Sequence, residues 1–243
     1  MDGSRRPPET PPRVRVRPSA RGFREGLVAT LPLLLAVGPF GLLFGVIATK
    51  AGLALSETMA MTALVIAGAS QLAALQVLAD GAPAAIAVLT GAIVNLRMAM
   101  YSASLAVYWR DVPLGWRALA AAVLHDQDYA LSIARYRTRE ESLDDRLGFY
   151  FGVGCLTCGT WVSMSLVGAT LGQHLPEEID LSVIAPITFI ALVAPMLRGR
   201  AVLLAATVAS AVSLALVALP WGLGMMIGAV AGIAAGMGAG GGR

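Results

Sequence analysis

Asn95, Leu96 and Arg97 sit at the middle of an apolar run from Ala84 to Trp109. A run of that length crosses a bilayer, because about 20 apolar residues span roughly 30 Å of hydrocarbon. Arg97 then lies near mid-membrane, where a cation costs about 2.5–3.5 kcal/mol on insertion scales. A chain keeps such a group where a carboxylate, a water-filled cavity or a ligand compensates it. Asp126 and Asp128, just after His125, are the economical partners. Coulomb attraction at low dielectric offsets two desolvation costs only in good geometry. Two readings stand side by side. In one, Arg97 engages a substrate carboxylate, or is released from Asp126 when that residue gains a proton through a carboxylate–histidine relay. In the other, the ion pair is permanent and fixes helix register, or the 125–128 block is simply wet at the interface.

The remaining polar residues at membrane depth are Ser70, Gln71, Gln76, Tyr101, Thr157 and Thr160. The amides must find partners in another helix or in a substrate. Ser70 with His125 and Asp126 supplies the residue types of an acyl-transfer triad. Adjacent His125 and Asp126 diverge on a helix, however, and no G-x-S-x-G turn surrounds Ser70, so an enzyme is not expected. There is no Walker motif for ATP. Cys155 and Cys158 form a lone C-x-x-C on one helical face. A metal site needs four ligands, and no second pair exists, so neither metal nor cofactor is expected.

The elements that must position these groups are helices in a membrane. Of 243 residues, 57% are hydrophobic and 14% charged, far from a soluble domain. The net charge of +3 is distributed as topology determinants rather than as a nucleic-acid surface. Residues 1–22 read as a disordered basic cytoplasmic arm and 23–243 as one transmembrane domain. No cleavable signal peptide is apparent.

Eight spans are expected, with seven as the alternative. They run at about 26–49, 58–79, 84–109, 113–133, 147–172, 181–197, 201–219 and 223–237. Span 1 holds Pro32, Pro39, Gly38, Gly41 and Gly45. It is either a broken helix lining a cavity or a kinked helix whose Gly41 and Gly45 form a close-packing face. Segment 113–133 is the end of a span, a broken helix or a re-entrant turn. Gly148/Gly152 and Gly168/Gly172 are spaced for close helix approach. With the N-terminus cytoplasmic, the inner segments hold the seven arginines ahead of span 1, four from Arg135 to Arg146, Arg198, Arg200 and Arg243. That is 14 of the 18 basic residues, as the positive-inside rule requires. Spans 1–2 and 5–6 echo one another, which suggests an internal repeat of the kind found in transporters.

Several stretches resemble the AzlC family, the large subunits of two-component branched-chain amino acid exporters. They are Pro39-Phe40-Gly41-Leu42-Leu43-Phe44-Gly45, Gly68-Ala69-Ser70-Gln71, Asn95-Leu96-Arg97, the acidic 126–128 block, Gly148 to Trp161 and Pro186 to Leu197. The resemblance covers about Phe23 to the C-terminus. It implies a plasma (inner) membrane exporter of leucine, isoleucine, valine and often methionine, drive by the proton gradient, and a small hydrophobic AzlD-type partner. Two positions depart from the family: Met98 stands where His is common, and Asp126-Gln127 where Asp-Glu is common. Proton coupling here would then fall to His125, Asp126 or Asp128.

The combined expectation is an all-α polytopic exporter working by alternating access. A helix end near Gly38 to Gly41, with Gln71 and Asn95, would hold the charged groups of an amino acid, and Phe40 and Met98 would line a side-chain pocket. The expected substrate-binding or coupling residues are Pro39, Phe40, Gly41, Ser70, Gln71, Asn95, Arg97, Tyr101, His125, Asp126 and Asp128. A non-transporting scaffold or regulatory subunit is the competing reading.

Overall fold

The computed structural model describes residues 16–65, 67–176, 190, 197 and 199–240. Every regular element among them is helical. The helices are α1 (Ala20–Thr30), α2 (Leu34–Lys50), α3 (Leu55–Leu64), α4 (Gly68–Ala79), α5 (Ala84–Ala106), α6 (Leu114–Ala122), α7 (Asp126–Thr138), α8 (Leu143–Gly172), α9 (Arg200–Ala215) and α10 (Leu223–Gly240). Among the described residues, three stretches are long and apolar enough to cross a membrane: Ala20–Lys50, Ala84–Trp109 and Leu143–Gly172. Gly68–Ala79, Arg200–Ala215 and Leu223–Ala239 are apolar but shorter. Span 6, expected over 181–197, lies outside the described residues apart from Ile190 and Leu197. Large apolar side chains point outward, Leu35 84% exposed and Leu64 83%. Such exposure is unfavourable in water and matches a lipid surround.

The chain forms two compact units, Met1–Pro32 with Met100–Leu156, and Leu33–Ala99 with Thr157–Arg243. In the first, Ser19 caps α1, its Oγ accepting from the Gly22 N–H at 2.9 Å and donating to Asp145. Alpha-carbons on α1 and α8 replace side chains as the packing surface. A Cβ on Gly26 would strike the Phe149 carbonyl, and one on Gly152 would strike the Phe23 carbonyl. The expected Gly148/Gly152 face is thus matched by Gly22 and Gly26. Aromatic rings fill the rest of this unit: Trp109 stands edge-on to Tyr150 with centroids 4.9 Å apart, and the buried Tyr150 hydroxyl donates to the Ala120 carbonyl at 2.6 Å. Segment 113–133 is not one continuous helix. Helix α6 stops at Ala122 and α7 starts at Asp126, with His125 extended between them.

In the second unit α2 packs on the later part of α8, again through glycine. A Cβ on Gly45 would strike the Ser165 carbonyl, and one on Gly168 would strike that of Leu42. Thr49 Oγ1 donates to the Ala169 carbonyl at 3.1 Å, and Lys50 Nζ to the Leu175 carbonyl at 2.8 Å. Val37, Phe44, Leu72, Leu75 and Trp161 form the core. Helices α9 and α10 make a hairpin in which Gly224, Gly228 and Gly232 lie against the backbone or side chains of Leu216, Ala209, Ser213 and Ala205.

Of the two courses open to span 1, the structure takes the kinked one. A 3-10 turn at Leu31–Leu33 surrounds Pro32, and α2 then continues unbroken through Pro39. The break is in span 2 instead. Helix α3 ends at Leu64, Val65 adopts φ −121°, ψ 79°, and Ala67 φ −152°, ψ 92° before α4 opens at Gly68. No proline enforces it. Val65 is β-branched and disfavours helix, and the interruption is held from outside by side chains of α4.

Candidate functional site

Gln71 is fully buried, and its Nε2 reaches back across the break to donate to the Met61 carbonyl at 3.0 Å. Because the partner is a carbonyl, the amide orientation is fixed, and Gln71 Oε1 is left as a buried acceptor with no hydrogen-bond partner among the described residues. Ser70, also fully buried, donates from Oγ to the Ala67 carbonyl at 2.8 Å. Two expected site residues therefore hold the break together. Phe40 and Gly41 stand beside it. Phe40 lies 5.7 Å, centroid to centroid, from Trp161, and a Cβ on Gly41 would sit 3.2 Å from the Trp161 carbonyl. Pro39 is exposed and Gln76 faces outward, pairing with Asp80 at 3.2 Å. Asn95 and Arg97 are half-buried on α5, and Asn95 Oδ1 has no hydrogen-bond partner among the described residues.

The other expected residues belong to the first unit. Tyr101 stacks on Tyr129 with centroids 4.2 Å apart and planes 9° from parallel. At the start of α7, Asp128 Oδ2 accepts from the His125 backbone N–H at 3.1 Å and lies 2.9 Å from its ring Nδ1. This is half of a capping box, with the carboxylate at the helix N-terminus where the dipole favours it. Asp128 is fully buried and His125 6% exposed. The carboxylate lies against α8 at Gly154, whose Cβ would sit 3.5 Å from Oδ2. Asp126, the first residue of α7, is half-buried. His125 is thus paired with Asp128 at i, i+3. Arg97 and Asp126 fall in different units, and their roles belong to the proposal below.

An ion cluster ties the middle of α1 and the last turn of α7 to the segment just before α8. Arg135 binds Glu25 and, at 2.6 Å, Glu141, and its guanidinium lies 4.3 Å above the Phe149 ring. Burial opposes the Arg135 charge, but hydrogen bonds to Glu141 and Glu25 outweigh it and raise its pKa above the ordinary value. Three participants stay out of sight in the sequence: Trp161 at the break, Gly154 behind Asp128, and the break itself. The one signal for Trp161 is an indole among small residues within a span.

The helices, the lipid-facing apolar side chains and the buried polar breaks define a helical membrane protein. Its residues 32–175 match the AzlC protein family, and the chain belongs to that family. An uncharacterized membrane protein of Archaeoglobus fulgidus is 30% identical over 182 residues, covering 73% of this chain and 77% of the relative. Inner membrane protein YgaZ of Escherichia coli K12 is 27% identical over 159 residues, 65% of this chain and 64% of that protein. No solved structure matches the chain.

Proposed function

We propose that the protein is a secondary-active exporter of leucine, isoleucine, valine and methionine across the plasma membrane. It is coupled to the proton gradient, acts with a small AzlD-type subunit, and passes the membrane eight times with its N-terminus cytoplasmic. The observation that carries the reading is the break in span 2, with the buried Gln71 Oε1 beside it, which has no hydrogen-bond partner among the described residues. An amino-acid zwitterion needs donors for its carboxylate and acceptors for its ammonium where water is scarce. Two half-helices meeting end to end supply both, N–H groups where α4 opens and carbonyls where α3 closes. Gln71 Oε1 adds an acceptor, and Phe40 and Trp161 supply an apolar wall.

Arg97 answers the carboxylate of the cargo and Asp126 takes up the coupling proton, with the buried His125–Asp128 pair as the second candidate proton carrier. Efflux of labelled leucine, valine and methionine from loaded vesicles holding this chain with its small subunit is the test. Asp126→Asn should abolish export while the protein stays in the membrane, and normal export by that variant removes the coupling role. A chain that moves no amino acid in either pairing is a scaffold or regulatory subunit. Flux indifferent to the proton gradient marks a passive channel.

A further inference from the structure

We infer that the opening of α4 and the indole N–H of Trp161 together form a carboxylate-binding site. The inference deepens the export reading by assigning one end of the cargo to named donors, and it rests on that reading only for the identity of the cargo. The first two residues of α4, Gly68 and Ala69, have N–H groups with no acceptor inside their own helix. The N-cap residue, Ala67, has no side chain able to cap this end. Ser70, the residue type that would cap it, has its hydroxyl engaged as a donor to the Ala67 carbonyl. That same carbonyl takes the Ser70 and Gln71 N–H groups at 3.0 Å. What remains at the tip is a pair of donors and the positive end of a helix dipole.

Trp161 is the independent observation. Its side chain belongs to a residue only 5% exposed, yet Nε1 has no hydrogen-bond partner among the described residues. A buried indole N–H ordinarily finds an acceptor. The ring is laid across the start of α4. A Cβ on Gly68 would collide with Trp161 Cη2 and would stand 3.0 Å from Cζ2 and 2.9 Å from Phe40 Cε1. The six-membered edge Cη2–Cζ2 therefore lies at the helix opening, and Nε1 follows two bonds beyond Cζ2 on the same side of the ring. Glycine at 68 is what lets it lie there.

The unmet donor and the helix end therefore ask for the same thing, a small anion. A carboxylate has two oxygens to divide between the indole N–H and the backbone N–H groups. A doubly charged phosphate would want a cation, and these donors are all neutral. Around them Phe40, Phe44 and Trp161 form an aromatic wall, Phe44 stacked on Trp161 at 5.9 Å and Phe40 tilted against it. An acid with an apolar tail fits both surfaces.

The test uses the full chain in lipid nanodiscs with ¹⁵N-labelled indoles, its Trp161 signal assigned through Trp161→Phe. L-leucine, 4-methylpentanoate (the same tail and carboxylate, no amine) and L-leucinamide (no carboxylate) are titrated. Both acids should move the Trp161 N–H signal, and the amide should need at least tenfold more for any movement. Trp161→Phe should weaken 4-methylpentanoate about tenfold. A Trp161 signal unmoved by both acids, or moved equally by the amide, overturns the site. Labelled leucine bound without movement of that signal overturns the site and leaves the export reading standing. Movement by 4-methylpentanoate without leucine binding supports the site and sinks the cargo. Should Trp161→Phe fail to fold, the acid and amide comparison on the unaltered chain decides alone, with the signal assigned by elimination using Trp109→Phe, Trp116→Phe and Trp221→Phe.

Discussion

Gln71→Met separates a ligand-binding amide from one that only glues helices. Methionine matches the length of glutamine and carries no strong polar atom. The substitution removes one hydrogen bond, Nε2 to the Met61 carbonyl, worth about 1 kcal/mol net. That carbonyl is not orphaned, because it also accepts from the Val65 N–H at 2.9 Å. The substitution also removes Oε1, a buried acceptor without a partner among the described residues, whose desolvation costs about 1–3 kcal/mol. The difference favours the variant by roughly 0–2 kcal/mol. At about 2–4 °C per kcal/mol for a chain of this size, Gln71→Met should melt at the same temperature or a few degrees higher. Its cargo binding should fall by tenfold or more. The assay pairs thermal unfolding in nanodiscs, followed by fluorescence, with binding of labelled leucine. A variant that melts several degrees lower and binds leucine normally refutes the reasoning, because Gln71 would then serve the fold alone.

Other outcomes follow from the packing. Gly152→Leu should destabilise by about 1–3 kcal/mol or prevent folding, since even its Cβ meets the Phe23 carbonyl. Gly159→Leu, on the same helix with open space around it, should be neutral, and the yield of monodisperse protein compares the two. Arg135→Gln strips Glu25 and Glu141 of a shared cation and should cost about 1.5–3 kcal/mol in thermal unfolding. Adding Glu141→Gln should recover part of that loss, and additive losses would show that the two side chains act independently.

The glycine faces were legible because a four-residue spacing within an apolar run has one physical use, close backbone approach, and Gly41/Gly45, Gly148/Gly152 and Gly168/Gly172 all serve it. Ser70 and Gln71 were legible for a related reason: an amide in hydrocarbon demands a partner. The location of the broken helix was not. Pro39 and its neighbouring glycines pointed to span 1, yet a proline on the exposed side of α2 leaves the helix intact, while span 2 breaks without a proline, just ahead of Gly68. The break depends on Gln71 meeting Met61, a side-chain contact that local propensity does not record. Trp161 was legible only as the end of a family-like stretch and not as a site residue, because its neighbours at the break, Gly68 and Phe40, are brought to it only by folding. The choice of Asp128 rather than Asp126 as the partner of His125 follows from where α7 begins, since a residue at N3 faces the cap.

The most direct measurement concerns where cargo sits. In a chain with Cys155→Ser and Cys158→Ser, Ala69→Cys places one thiol at the opening of α4, and its rate of alkylation by a small maleimide is followed with and without leucine. Slowing by at least fivefold at saturating leucine is the result predicted if an amino acid occupies the break in span 2. An alkylation rate that leucine, valine and methionine all leave unchanged would contradict it.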